Sequence, residues 1–342
     1  MKKPLKVLLA FDFPVPPPED GNFRNELNPE DWRCEQNIIN ALNDLEYDVR
    51  LIGIHDSIRR LQVEIRRNRP DIVFNSIESY DNVRDQEANV AGVFELLGIP
   101  YTGSRASVLH LCRNKMLTKR ILSPHRIRVP NFVLLPKGSK KRSLRSLKFP
   151  VIVKPLGFEG SEGMVNKSFA ETSESALERV DFLHENLKSD ALVEEFIEGR
   201  EFYSGVLGND RLTVLPLREM FFKNFPDDRA KFATFKAKWD PEFRNKWGIT
   251  NSFSAPLPDG VEKKIAKISR TAYRALGLTG FGRLDLRLTS DNEIYVLEVN
   301  PNPSLQRDDE VAFAAQRLNI KYTQLIERIV QYGLQIGSRF TQ

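Results

Sequence analysis

Apolar residues run unbroken through "KVLLAF" (6–11). They recur at helical spacing over residues 30–46, where Ile38, Ile39, Leu42 and Leu45 share a face. The first pattern predicts a buried strand, the second an amphipathic helix. The alternation continues: "YDVRLIGI" (47–54) reads as a strand, 57–67 as a helix, "DIVFNSI" (71–77) as a strand, and 85–97 as a helix closed by Gly98. Strands alternating with helices predict a parallel sheet flanked by helices, in a unit ending near residue 110.

The pattern then changes. "FPVIVKPLGFEGSEGMV" (149–165) reads as a strand, a glycine-rich turn and a second strand. A helix follows at about 173–187. "ALVEEFI" (191–197) and "EFYSGVLGN" (201–209) read as two strands joined by a glycine turn, giving a small α+β unit. Residues 216–256 carry no clear period and read as irregular. A helix at 259–276, a hairpin at 283–303 and a final helix at 308–332 complete the chain, which has no internal repeat.

The hairpin raises a question of charge. With Asp291-Asn292 as a two-residue turn, Asp285 faces Glu298 and Arg283 faces Asn300. One face then carries Arg283, Asp285, Arg287, Thr289, Ile294, Val296, Glu298 and Asn300. The other carries Leu284, Leu286, Leu288, Tyr295, Leu297 and Val299, a core face. Opposed carboxylates repel. Either Arg283 and Arg287 offset them as salt-bridge partners, or a hard cation does. Two carboxylates and an amide oxygen suit Mg²⁺, which usually carries a nucleotide. Both readings stand at this point.

Composition narrows the function classes. The 342 residues are 41% hydrophobic and 28% charged, an ordinary globular balance with room for two or three domains. A net charge of +5 is mild for this length and shows no aromatic-interleaved basic face, so nucleic acid is not expected as a partner. The charge run "KGSKKRSLRSLK" (137–148) reads as a solvated loop. Cys34 and Cys112 lie far apart, the apolar run at 7–11 is short, and prolines follow at 14, 16, 17 and 18. A cytoplasmic protein with neither signal peptide nor membrane span is expected.

No phosphate-binding Walker motif occurs. Lys154, however, ends a strand just before Gly157, Gly160, Ser161 and Gly163, a loop that can approach phosphate oxygens or simply turn a hairpin beside a surface lysine. The motifs in order are "YTGS" (101–104), Lys115, "FPVIVKP", "EGSEGM", "VEEFIEGREF", "GFGRLDL" and "LEVNPNP". This set resembles the ATP-grasp ligases, most closely the D-alanine–D-alanine ligase branch, over most of the chain.

The resemblance implies an ATP-grasp fold of mixed α/β and α+β class. Its parts would be a Rossmann-like parallel-sheet domain (1–110), a central α+β lid (111–206) and a C-terminal antiparallel-sheet subdomain (207–342). Lys115, Lys154 and Lys238 would reach the ATP phosphates, with Gly160 and Ser161 covering them. Glu194 would accept from the adenine amine, Phe196 and Ile197 would line its rim, and Glu201 would hold the ribose. Asp285, Glu298 and Asn300 would bind Mg²⁺, with Mn²⁺ as an alternative. Arg283 would stabilise the transferring oxygens. Taken singly, the lysines would read as surface residues, and Phe196 and Ile197 as core. The implied reaction turns a carboxylate into an acyl phosphate, which an amine attacks. A small-molecule carboxylate donor and amine acceptor are the expected partners, and a homodimer is a candidate assembly.

Three departures from the branch stand out. A loop serine and a tyrosine at the donor's amino end become Gly160 and Trp239, and the N-terminal glutamate has only Glu26 and Glu30 as loose counterparts. Asp309, beside Asp308, stands near a serine that binds the acceptor's carboxylate. An acid there favours a cationic or hydroxylated acceptor, unless both acids merely cap the last helix. Arg287 replaces an apolar residue that touches adenine. These departures favour a substrate other than two D-alanines. A true D-alanine–D-alanine ligase and a non-catalytic nucleotide-binding regulator are the alternatives, the latter opposed by the intact Arg283, Asp285, Glu298 and Asn300 set.

Overall fold

The computed structural model describes residues 3–18, 23, 26–139, 143–158, 161–226 and 229–338. The uninterrupted apolar runs of the first hundred residues form a three-stranded parallel sheet. Its strands are β1 (Lys6–Asp12), β2 (Asp48–Ile54) and β3 (Ile72–Ser76), in the order β2-β1-β3. Helices Arg33–Asp44 and Ile58–Arg67 bury Ile38 and Leu42, and Leu61 and Ile65, against it. The chain's last helix, Tyr322–Ser338, joins the same core through Leu325, Ile326, Ile329 and Val330. First and last segments therefore share one hydrophobic cluster.

The central sheet is antiparallel, in the order β4-β7-β5-β6: β4 (Phe132–Leu135), β5 (Val151–Pro155), β6 (Phe169–Ala170) and β7 (Ala191–Glu195). Helix Ser173–Asn186 covers it, opened by Thr172, whose hydroxyl accepts from Ser175 N. The expected strand directly after the glycine turn is instead turn and a short 3₁₀ segment, Asn166–Ser168; pairing resumes only at β6.

The C-terminal sheet is antiparallel and holds six strands: β8 (Arg200–Leu207), β9 (Thr213–Val214), β10 (Arg218–Phe222), β11 (Ile249–Phe253), β12 (Phe281–Leu288) and β13 (Ile294–Asn300). Its order is β11-β10-β8-β12-β13, with β9 beside β8. Three expectations are corrected here. Strand β8, read with the central unit, pairs with β12 along its whole length and belongs to this sheet. The stretch 216–256, read as irregular, supplies β10, β11 and helices Phe235–Trp239 and Pro241–Trp247. The final helix is two, Glu310–Arg317 and Tyr322–Ser338, separated where Asn319 takes a left-handed φ of 59°.

The hairpin register is corrected in an instructive way. The turn holds three residues, not two: Thr289 N donates to Glu293 O, and Asn292 sits at φ 65°. Leu286 thus pairs with Val296 and Leu288 with Ile294, so Ile294 and Val296 join the core with the leucines, and Tyr295 shares Arg287's face. A bulge at Leu297 then shifts the register, and Asp285 meets Glu298 and Arg283 meets Asn300, as expected. The freed Leu297 carbonyl accepts from Lys119 Nζ at 2.6 Å.

Candidate active site

Cross-strand partners share a sheet face. One row across the C-terminal sheet therefore reads Glu298, Asp285, Tyr203, Arg218, Phe253. The next, two residues along each strand and three along β13 because of the bulge, reads Tyr295, Arg287, Glu201, Met220, Asn251. This charged face looks onto the central sheet, where Lys154 of β5 meets Glu194 of β7, and onto helix Lys115–Leu122. That helix starts at Asn114, whose side chain accepts from Leu117 N at 3.1 Å. Lys115 and Lys119, one helical turn apart, point the same way.

Every cation here is matched to an acid. Lys115 lies 2.9 Å from Glu298 and also donates to Phe158 O. Asp285 accepts from Arg283 Nε at 2.7 Å and Asn300 Nδ2 at 3.3 Å, with Lys238 3.7 Å away. Glu194 receives Lys154 at 2.8 Å and Lys119 at 3.2 Å. Burial alone would raise the Glu298 carboxyl; Lys115, Lys238 and Lys154 outweigh it and hold it at about 2. Glu194 is likewise lowered, because Lys119 and Lys154 overcome its burial. The lysines are not surface residues: Lys115 is 6% exposed and Lys119 1%.

The arginines divide the work differently from the sequence reading. Arg283 pairs with Asp285, but Arg287 turns to Glu201, 2.6 Å away. Among the described residues no three His, Cys, Asp or Glu side chains gather as a metal site. The Asp285, Glu298 and Asn300 set has two carboxylates and one amide, adjacent on one face, and these hard oxygen donors fit Mg²⁺.

Two cavities flank these acids. One, about 80 Å³, is lined by Lys115, Lys154, Glu194, Phe196, Ile197, Glu201, Ser161 and Arg287. Phe196 packs edge-on against Phe169 and Phe232. Ser161, at φ 66°, donates to Ala233 O at 2.8 Å, tying the glycine turn to the segment before Lys238. Gly160 lies outside the described residues.

The other cavity measures about 720 Å³ and is lined by Arg283, Asn300, Lys238, Trp239, Asp308 and Asp309 among others. Trp239 is 56% exposed at its edge. Asp308 pairs with Arg33 at 3.4 Å. Asp309 occupies the N-cap position of helix Glu310–Arg317, yet its side chain makes no cap bond. Burial raises its carboxyl, with Glu310 adding to the effect and a Ser304 hydrogen bond opposing it.

Sequence reading missed two features. Lys119 was findable, one turn after Lys115 on the same helix face. The cavity floor was not. There Arg218 lies between Phe253 and Phe313 and pairs with Glu310 at 3.2 Å, and Asn251 accepts from Arg244 at 3.2 Å. Arg218 and Arg244 belong to the stretch with no readable period.

Residues 122–331 match the family described as "D-ala D-ala ligase C-terminus". The chain is 30% identical to the D-alanine–D-alanine ligase of Carboxydothermus hydrogenoformans over 290 residues, 82% of this chain and 86% of that one. In fold it is similar to the Bacillus anthracis D-alanine–D-alanine ligase solved with ATP (TM-score 0.73, 19% identity, 98% and 99% of the chains). It is similar also to the VanG D-Ala:D-Ser ligase of Enterococcus faecalis (TM-score 0.71, 19% identity, 97% and 100%). No helix of the described residues is long and apolar enough to cross a membrane.

Proposed function

We propose that this chain, which belongs to the D-alanine–D-alanine ligase family of the ATP-grasp superfamily, joins a carboxylate donor other than D-alanine to an amine through an acyl phosphate. It is an ATP-using ligase. The donor and acceptor are the finer reading, and one observation supports it: the cavity beside Arg283 is about 720 Å³ and is lined by Trp239, where the branch has a tyrosine at the donor's amino end, and, toward the acceptor, by Asp309, an acid that neither caps its helix nor faces a cation within ion-pair distance among the described residues. That volume lies in the range of pockets for drug-sized ligands, about 300–1,000 Å³.

The chemistry follows from charge. A carboxylate cannot expel oxide, so its oxygen attacks the γ-phosphorus of ATP, the bond to the β-γ bridging oxygen breaks, and ADP leaves. An amine then attacks the acyl carbon and phosphate departs. Both steps spread negative charge over oxygens. Lys115, Lys154 and Lys238 meet that charge at the phosphates, and Arg283 meets it at the acyl oxygens. Asp285, Glu298 and Asn300 would hold Mg²⁺ or Mn²⁺, which when bound neutralises phosphate charge. The loop around Ser161 shields the acyl phosphate from water. Phe196 and Ile197 flank the base, Glu194 accepts from it, and Glu201 holds the ribose. A reaction that consumes ATP favours a cytoplasmic setting.

ADP release across a panel of amino acids tests the substrate reading. D-Alanine alone is expected to support less turnover than a mixture containing larger amino acids or short peptides. If D-alanine alone gives the highest kcat/KM, the chain is a D-alanine–D-alanine ligase with a rebuilt pocket.

A further inference from the structure

Charges of both signs line the larger cavity. Arg84 lies 3.0 Å from Glu162, Arg218 3.2 Å from Glu310 and Arg283 2.7 Å from Asp285. The remaining acids and cations of the wall also have opposite partners within 4 Å, save Asp309 and Arg244. Asp309 has been described as an acid without a cation. Arg244 is its counterpart, a cation without an acid among the described residues.

Arg244 stands on helix Pro241–Trp247, which Asp240 opens by accepting from Phe243 N at 2.9 Å. It is half-buried, and its acceptors are neutral: Nη1 donates to Ala237 O at 2.5 Å and Nη2 to Asn251 Oδ1 at 3.2 Å. Asn251 stands where an acid would cancel the charge. Its Nδ2 is spent on Glu310, whose other oxygen accepts from Arg218 Nε. Glu310 is therefore satisfied without reaching Arg244. Carbonyl and amide oxygens hold a guanidinium in place but leave its net charge unmatched. The Nε–H of Arg244 has no acceptor among the described residues and is not sealed from solvent.

We propose that Arg244 is a specificity-determining residue that receives a second carboxylate of the donor, one that ATP does not activate. The assignment rests on the reading of this cavity as the donor and acceptor site. Its placement points to the donor, because Nη1 is held by carbonyls of the helix that carries Trp239, Phe235–Trp239, whereas Asp309 stands toward the acceptor. Nε–H and the second N–H of Nη2 remain for the carboxylate, and a charge-assisted pair of this kind is the strong form of such a bond. The substrate class is an amino dicarboxylic acid, or a peptide with a carboxylate besides the reacting one. The cavity of about 720 Å³ has room for it.

The test uses the whole protein with ATP, Mg²⁺ and hydroxylamine. Donors are glutamate against glutamine and aspartate against asparagine, in both enantiomers, so that each pair differs by one carboxylate turned into an amide. Only hydroxamate at the α-carbonyl, identified by mass spectrometry, is counted, alongside ADP. In at least one pair the wild type is expected to favour the acid in kcat/KM by about tenfold or more, mainly through KM. Arg244→Gln is expected to lower that ratio about tenfold, and Arg244→Lys to keep part of it, since lysine retains the charge but not the fork. A merely structural role lowers acid and amide alike and leaves the ratio unmoved. Wild-type ratios at or below one in every pair, a ratio unmoved in the variants, or turnover with other amino acids but none of these acids overturns the assignment alone. No ADP from the wild type with any donor overturns the ligase reading of the cavity and this assignment with it.

Discussion

Glu298→Gln is expected to lower kcat about 10²–10³-fold and to leave a folded protein of reduced stability. The rate loss follows from removing one of two anionic oxygen donors where several kcal/mol of charge stabilisation are needed, with about 1.4 kcal/mol per factor of ten. In the presence of ADP, Mn²⁺ bound per chain, read by water proton relaxation, is expected to fall in parallel. The stability loss has its own signature. The Glu298 carboxyl is held at about 2, below its ordinary value of 4.5, so its stabilising contribution is fully present above pH 4.5 and is lost as pH falls through about 2. The gap in Tm between wild type and variant is expected to be widest near pH 7 and to close between pH 4.5 and 2. Full activity in the variant, or turnover with EDTA present, would remove the metal assignment. A gap that ignores pH would mean that Lys115 is not the partner that matters.

Asp309→Ser is expected to shift acceptor preference toward carboxylate-bearing amines by about tenfold or more. Two unit charges 4 Å apart interact by about 4 kcal/mol at an effective dielectric of 20, and a third of that is already about tenfold in binding. Lysine and cadaverine, which differ by one carboxylate, make a suitable pair. The ratio of their kcat/KM values should move toward lysine in the variant, with cadaverine losing affinity. A helix-capping role predicts otherwise: a drop in stability and an unmoved ratio. Asp309 makes no cap bond, and serine is a good cap, so Tm is expected to hold or rise. An unchanged ratio would leave Asp309 without a part in selection.

The charged ends of the hairpin were legible from alternation and charge: Asp285 opposite Glu298 and Arg283 opposite Asn300 are where the pattern places them, although the two-residue turn it assumed is not the one formed. The path between turn and site was not. A three-residue turn and a bulge at Leu297 cancel in register, and nothing local to that strand announces the bulge. Its freed carbonyl is satisfied from another helix, by Lys119. The same limit hid Arg218, whose partners Phe253, Phe313 and Glu310 come from two later segments, β11 and helix Glu310–Arg317. Short strands such as β10 and β11 carry too few residues to show a period. The break in the final helix was readable, since Asn319 in a left-handed conformation is a common way to end one. Arg287 shows the reverse case. Its identity was visible as a departure, but only packing reveals that it reaches Glu201.

In the proposed reaction a carboxylate other than that of D-alanine is activated as an acyl phosphate. Hydroxylamine is a small nucleophile that intercepts such an intermediate whatever the native acceptor is. The decisive measurement incubates the protein with ATP, Mg²⁺, hydroxylamine and single carboxylates in turn, and follows ADP and hydroxamate together. Hydroxamate and ADP are expected in equal amounts for at least one amino acid or peptide larger than D-alanine, with less of both from D-alanine. ADP without hydroxamate from any carboxylate, or hydroxamate from D-alanine alone, would contradict it.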